Sequence, residues 1–120
     1  MEWTLLASLA RLGRPDGTSA YLRLYTRPVD QSLAAVPADP AARERRRRQV
    51  VAGAYPLRRA APDDAAGRPE VTIAAMGATV PEALAAADRL ADLGHAADVV
   101  CVTSPGLLFD AVQALSLIHI

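Results

Sequence analysis

Apolar and polar positions alternate with a period of two over Ser19–Thr26 (SAYLRLYT), with Leu22 and Leu24 on one face and Tyr21, Arg23 and Tyr25 on the other. That period predicts a β-strand. Upstream, Leu5, Leu9 and Leu12 fall on one helical stripe with Trp3 and Leu6 beside it, which predicts a helix over Met1–Leu12, stopped at Gly13. Arg14-Pro15-Asp16-Gly17 reads as the turn between them. Residues 27–40 (RPVDQSLAAVPADP) contain three prolines and no period, and read as an irregular connector. Asp39 before Pro40 then supplies an N-cap and a first helical residue for a short Arg-rich helix that ends at Gly53. Ala54–Arg58 reads as a short edge strand, because Pro56 removes a ladder donor. Ala60–Pro69 is a polar, Ala-rich loop.

The pattern changes after Glu70. Residues 71–76 (VTIAAM) are nearly all apolar, as a strand covered on both faces requires. Gly77-Ala78 makes a turn, and Thr79-Val80-Pro81-Glu82 has the spacing of a capping box for a helix over 80–93. That helix carries Val80, Leu84, Ala87 and Leu90/Ala91 on its inward face and closes at Gly94. A second apolar strand follows at 98–103, and Ser104-Pro105 opens a further helix bearing Leu107, Leu108, Ala111 and Val112. A strand–helix–strand–helix unit with short loops builds a parallel pair with a right-handed crossover. The expected fold is therefore α/β, a mostly parallel sheet with covering helices.

Composition narrows the function classes. The 120 residues are 52% hydrophobic and 22% charged, with a net charge of +0. That excludes an acidic or basic disordered chain and the positive field of a dedicated nucleic-acid binder. No stretch approaches eighteen consecutive apolar residues, so no membrane span is predicted. The acid at Glu2 and the lack of a basic leader make a poor export signal. One cysteine, Cys101, permits no internal disulfide, and a cytoplasmic location is expected. All 13 basic residues are arginine, and 26 alanines stand against three isoleucines, the codon usage of a GC-rich genome. Two of those isoleucines fall in Leu115–Ile120 (LSLIHI), which reads as the translation of a transposon-end sequencing adapter. Residues 115–120 are therefore set aside from the functional reading.

Few residues carry candidate chemistry. Gly77 lies at a strand end before a helix N-terminus, where anions find backbone N–H groups, but neither GxGxxG nor GxxxxGK[ST] surrounds it, so a plain tight turn is favoured. The run Arg43-Glu44-Arg45-Arg46-Arg47-Arg48 is expected to be a solvated helix face or an intersubunit salt-bridge surface rather than a polyanion site. Cys101, mid-strand in VVCVT, reads as an inert core thiol. His95 has no His or Cys at ligand spacing, and Asp63-Asp64 sits in a loop without apolar shielding. The residues alone describe a scaffold, and no catalytic, cofactor-binding or metal-binding residue is assigned.

Four segments nonetheless carry a resemblance. TSAYLRLYTRPVDQSL, RRRRQVVAGAYPLRR, VTIAAMGATVPEALAAADRLADLG and ADVVCVTSPGLLFDAVQA together resemble the transketolase-like thiamine diphosphate enzymes. The nearest likeness is to the homodimeric decarboxylating component of pyruvate dehydrogenase. The resemblance implies that 1–27 ends a pyrimidine-binding α/β domain, 28–52 connects domains, and 53–114 begins a C-terminal transketolase domain that mainly supports a dimer. It implies a parent enzyme that uses thiamine diphosphate and magnesium to decarboxylate pyruvate and passes acetyl to a lipoyl-bearing dihydrolipoamide acyltransferase. The family's GDG…Asn diphosphate–magnesium motif and its activating glutamate are missing here. The expectation is thus a fragment that binds no cofactor by itself, with no nucleic-acid or membrane partner. Transketolase, deoxyxylulose phosphate synthase and branched-chain 2-oxoacid dehydrogenase remain alternatives, as does a non-enzymatic Arg-rich interaction module.

Overall fold

The computed structural model describes residues 1–60 and 70–118, with side-chain surroundings for 1–60 and 70–115. The Ala60–Pro69 loop, apart from Ala60, and Asp63-Asp64 with it, lies outside the described residues.

The helices start and stop where local chemistry directs. Helix α1 spans Glu2–Leu9 and loosens into turns that reach Gly13. Helix α2 spans Pro40–Ala52; the Asp39 carboxylate accepts from the Ala42 N–H at 2.7 Å, and Gly53 ends it with φ 119°. Strand β1 is Ala54–Arg58, β2 is Val71–Ala75 and β3 is Ala97–Val102. Helix α3 (Val80–Asp92) joins β2 to β3, and α4 (Pro105–Ile118) follows β3.

The three strands form one sheet in the order β1-β3-β2. Strands β2 and β3 run parallel from Val71 opposite Ala97 to Ala75 opposite Cys101, with α3 as the crossover. Strand β1 runs antiparallel to β3, pairing Tyr55 with Cys101, and its register shifts between Pro56 and Arg58. The sheet is therefore mixed, one parallel and one antiparallel pair. Pro56 sits on an edge strand, where a missing N–H leaves no hole in a ladder.

The core lies between the sheet and α3. Val80, Ala83 and Ala87 of α3 meet Ala75, Ala97 and Val99, with Ile73, Leu84 and Leu90 partly buried around them. Small alanines on the α3 face let the helix settle close to the strands. Ala83 takes the inward position and Ala91 is exposed, unlike the expected stripe.

Several expectations are corrected. Residues 19–26 enter no ladder and are exposed, with Tyr21 90% accessible, because no second strand among the described residues lies alongside them. The leucine stripe of α1 faces outward; the helix turns Trp3, Thr4, Ala7 and Ser8 inward instead. Strand β2 is an edge strand with Val71 39% accessible, so it is not covered on both faces. Thr79 does not cap α3: its hydroxyl accepts from the Met76 N–H at 3.3 Å and donates to the Met76 carbonyl at 2.9 Å, closing a short 3-10 turn over Gly77–Thr79. Leu107 and Val112 of α4 are exposed rather than packed.

Candidate functional site

Parallel strands end side by side, and their carboxyl edge is where α/β sheets leave a crevice. Here that edge carries Ala75 and Cys101, followed by the turn at Gly77 and the segment Thr103-Ser104. A cavity of about 530 Å³ opens against it. Trp3, Val29, Leu33, Val36, Arg43, Arg46, Val50, Tyr55, Gly77, Val80, Cys101 and Thr103 are among its walls. The volume falls within the range of small-molecule clefts.

Each wall has a local cause. Arg43 and Arg46 lie three residues apart and so share one face of α2. Arg43 stands 5.7 Å from the centroid of the Trp3 ring. Arg46 stands 4.6 Å over the Tyr55 ring and donates to the Ala34 and Ala35 carbonyls at 3.2 and 3.3 Å. Arg46 thus serves both as a flat cation over a ring and as a hydrogen-bond donor, and Arg43 as a cation beside a ring. Tyr55 is 8% exposed. Burial, reinforced by the adjoining Cys101 thiol, pushes its phenol up to about 12, while Arg46 pulls weakly the other way. Tyr55 is therefore protonated at neutral pH, and no base.

The back of the crevice is tied together at one glycine. The Gly53 carbonyl accepts from the Thr103 and Ser104 N–H groups at 2.8 and 3.0 Å, and the Thr103 hydroxyl donates to the Val50 carbonyl at 2.6 Å. A Cβ at Gly53 would come within 3.0 Å of the Ser104 carbonyl oxygen and 3.2 Å of the Leu107 Cβ. On the opposite side, the Tyr25 ring packs directly on Gly77 (φ 58°), where any Cβ would run into it. Gly77 thus acts as a tight turn, as expected, and its open face is filled by an aromatic ring.

A smaller cavity of about 360 Å³ lies at the other edge, lined by Arg58, Arg59, Asp88, Gly94 and His95 among others. Its polar groups are already paired. Arg58 meets Asp88 at 2.6 Å, and His95 Nδ1 lies 2.6 Å from the Glu70 carboxylate. Asp98, buried at the start of β3, accepts from the Ala60 N–H at 2.6 Å and from Arg59 at 3.3 Å. This is the amino edge of β2 and β3, the unusual side for a ligand. The bonds pin the end of β1 and the start of β2 to β3.

Residues 53–115, a little over half the chain, match the family described as the transketolase-like TK C-terminal domain. The chain belongs to the transketolase-like family. No curated protein and no solved structure matches it. The match begins at Gly53, the residue where α2 ends and the α/β unit starts.

Within this transketolase-like unit the candidate residues do not converge on one centre. Gly77 and Cys101 reach the carboxyl-edge cavity and His95 the opposite one. The arginine run divides by helix geometry: Arg43 and Arg46 turn toward the aromatic walls, while Arg47 closes on Glu44 at 2.8 Å and holds that carboxyl below its ordinary range. Neither a continuous basic surface nor a shared ligand geometry results. Asp98 and Tyr55 went unread in the sequence, since one looked like the first residue of a strand and the other like an edge aromatic. Only the pairing of β1 with β3 places Tyr55 beside Cys101.

The residues present do not fit thiamine diphosphate and its magnesium. Among the described residues, no three His, Cys, Asp or Glu side chains gather to hold a metal. The cavity offers guanidinium groups already engaged with rings and carbonyls. The cofactor's chemistry is therefore not placed on these side chains. No helix of the described residues is long and apolar enough to cross a membrane.

Proposed function

We propose that this chain is a fragment of a thiamine diphosphate-dependent 2-oxoacid dehydrogenase of the pyruvate type, reaching into its C-terminal domain. In the parent enzyme, pyruvate is decarboxylated and the acetyl group passes to a lipoyl-bearing dihydrolipoamide acyltransferase. The observation that supports this reading is the family match over 53–115, joined to the segments TSAYLRLYTRPVDQSL and RRRRQVVAGAYPLRR just before and across its start. The role of these residues is scaffold: they carry a parallel β–α–β unit and the surfaces around it. The cofactor, magnesium and the activating glutamate belong to other parts of the parent. The parent is a cytoplasmic homodimer.

Exposed surface agrees with a part built for a larger body. The chain exposes 8927 Å². A free-standing monomer of its mass exposes about 6200 Å². Phe109, Val112 and Leu115 of α4 are each about three-fifths accessible.

The genomic DNA around this coding sequence tests the proposal. The expected result is a reading frame that continues beyond codon 114 and carries a GDG…Asn motif upstream in the same frame. A stop directly after that codon, with no thiamine motif upstream, rejects it. A flanking sequence typical of transketolase or of deoxyxylulose phosphate synthase keeps the family and replaces the substrate.

A further inference from the structure

We propose that residues 25–36 form a detachable strap that closes the cavity at the carboxyl edge of β2 and β3. The cavity walls are of two kinds. Val50, Tyr55, Val80 and Cys101 stand on helices and strands, whereas Val29, Leu33 and Val36 stand on a segment with no ladder partner. That segment is held at a few points only. Its Tyr25 ring lies on Gly77, its Arg27 meets Glu82 of α3 at 2.7 Å, and the Ala34 and Ala35 carbonyls accept from Arg46 of α2.

Between these points the strap is organised by itself. Asp30 caps a single 3-10 turn over Gln31–Ala34, accepting from the Ser32 N–H at 2.9 Å on its carboxylate. Leu33 and Ala35 N–H groups donate to the Asp30 and Ser32 carbonyls. The turn ends on Ala35 at φ 46°, ψ 51°, the one left-handed non-glycine among the described residues. An alanine is held there only while its surroundings insist on it. Arg46 does so by donating to the carbonyls of the peptides on both sides of Ala35.

The remaining latches are weak by construction. The Arg27 and Glu82 side chains are 62% and 54% accessible, and exposed ion pairs contribute little. A segment with few buried contacts and exposed hydrogen bonds sits at the low end of the local stability range. The strap therefore lifts while the sheet stays folded; away from Arg46 its 3-10 turn unwinds, which frees the Ser32, Leu33 and Ala35 amides and exposes Trp3, Tyr55 and Cys101. The inference stands on these contacts, so it fails or survives separately from the pyruvate-type reading.

Two probes on the full chain test it. Ser32, Leu33 and Ala35 amides report the strap by hydrogen exchange, and Trp3, the single tryptophan, reports the cavity by acrylamide quenching. Glu82→Gln lies on α3, remote in sequence from all four reporters. It is expected to speed exchange at the three strap amides about threefold, the scale of an exposed ion pair, and to raise Trp3 quenching. Val99 and Cys101 amides in β3 keep their wild-type rates. Arg27→Gln is expected to reproduce the effect, and the double variant to add nothing beyond either single one. Unchanged strap exchange in both single variants overturns the proposal. So does equal acceleration in the strap and in β3, because the strap then has no opening of its own.

Discussion

Asp98 shows how one buried carboxylate sets a strand end. It is 6% exposed and accepts from the Ala60 N–H at 2.6 Å. Asp98→Ala removes the acceptor of the half-buried Ala60 N–H and is expected to cost about 1 kcal/mol in a urea melt, the scale of one net hydrogen bond. Asp98→Asn retains an acceptor and is expected to cost less. Tyr55 gives a pH signature. Its folded pKa of about 12 lies above its ordinary value of 10.0, so the neutral phenol is the form that folding favours. That contribution is complete below pH 10 and is lost as pH rises toward 12. A melt series from pH 9 upward is expected to show stability falling in that window, and Tyr55→Phe to flatten the slope. Ala35→Gly removes the left-handed strain and is expected to stabilise by about 1 kcal/mol. Neither Asp98 nor Tyr55 was legible in the sequence, because each acquires its role from a partner some forty residues away.

Elements were legible where local chemistry sufficed. The Asp39-Pro40 start of α2, its Gly53 stop and the parallel β2–α3–β3 unit follow from caps, turns and apolar runs within short windows. Residues 19–26 show the limit of the same reasoning. Their alternation is real, yet a strand needs a neighbour to receive its N–H and C=O groups, and the described residues place none beside them. The faces of α1 and α4 fail for the same reason: a leucine stripe marks a surface to be covered without naming the cover. At the tail, α4 runs on through Ile118, and Leu115 is 61% accessible. Deleting residues 115–120 is therefore expected to change stability by less than about 1 kcal/mol, as for surface changes away from the core. A loss of several kcal/mol in that melt means the tail packs as native sequence, which the adapter reading does not allow.

At the scale of the whole molecule, the chain is more extended than an independent domain of its length. Its radius of gyration is 16.3 Å. A compact domain of this size has about 14 Å. Charge is also uneven: residues 1–53 hold nine arginines against five acids, and residues 54–120 hold four against eight. Uncovered apolar helices and separated charge suit a piece that completes itself against other protein. The isolated chain is accordingly expected to bind anilinonaphthalene sulfonate at neutral pH and to self-associate with rising concentration in sedimentation. The proposed function leaves scaffold on the described residues and the cofactor-holding groups elsewhere in the parent enzyme. Calorimetric titration of the purified chain with thiamine diphosphate and magnesium reads this division out. No saturable heat at micromolar cofactor and no decarboxylation of added pyruvate are expected; saturable binding with micromolar affinity would place cofactor-holding groups on this chain.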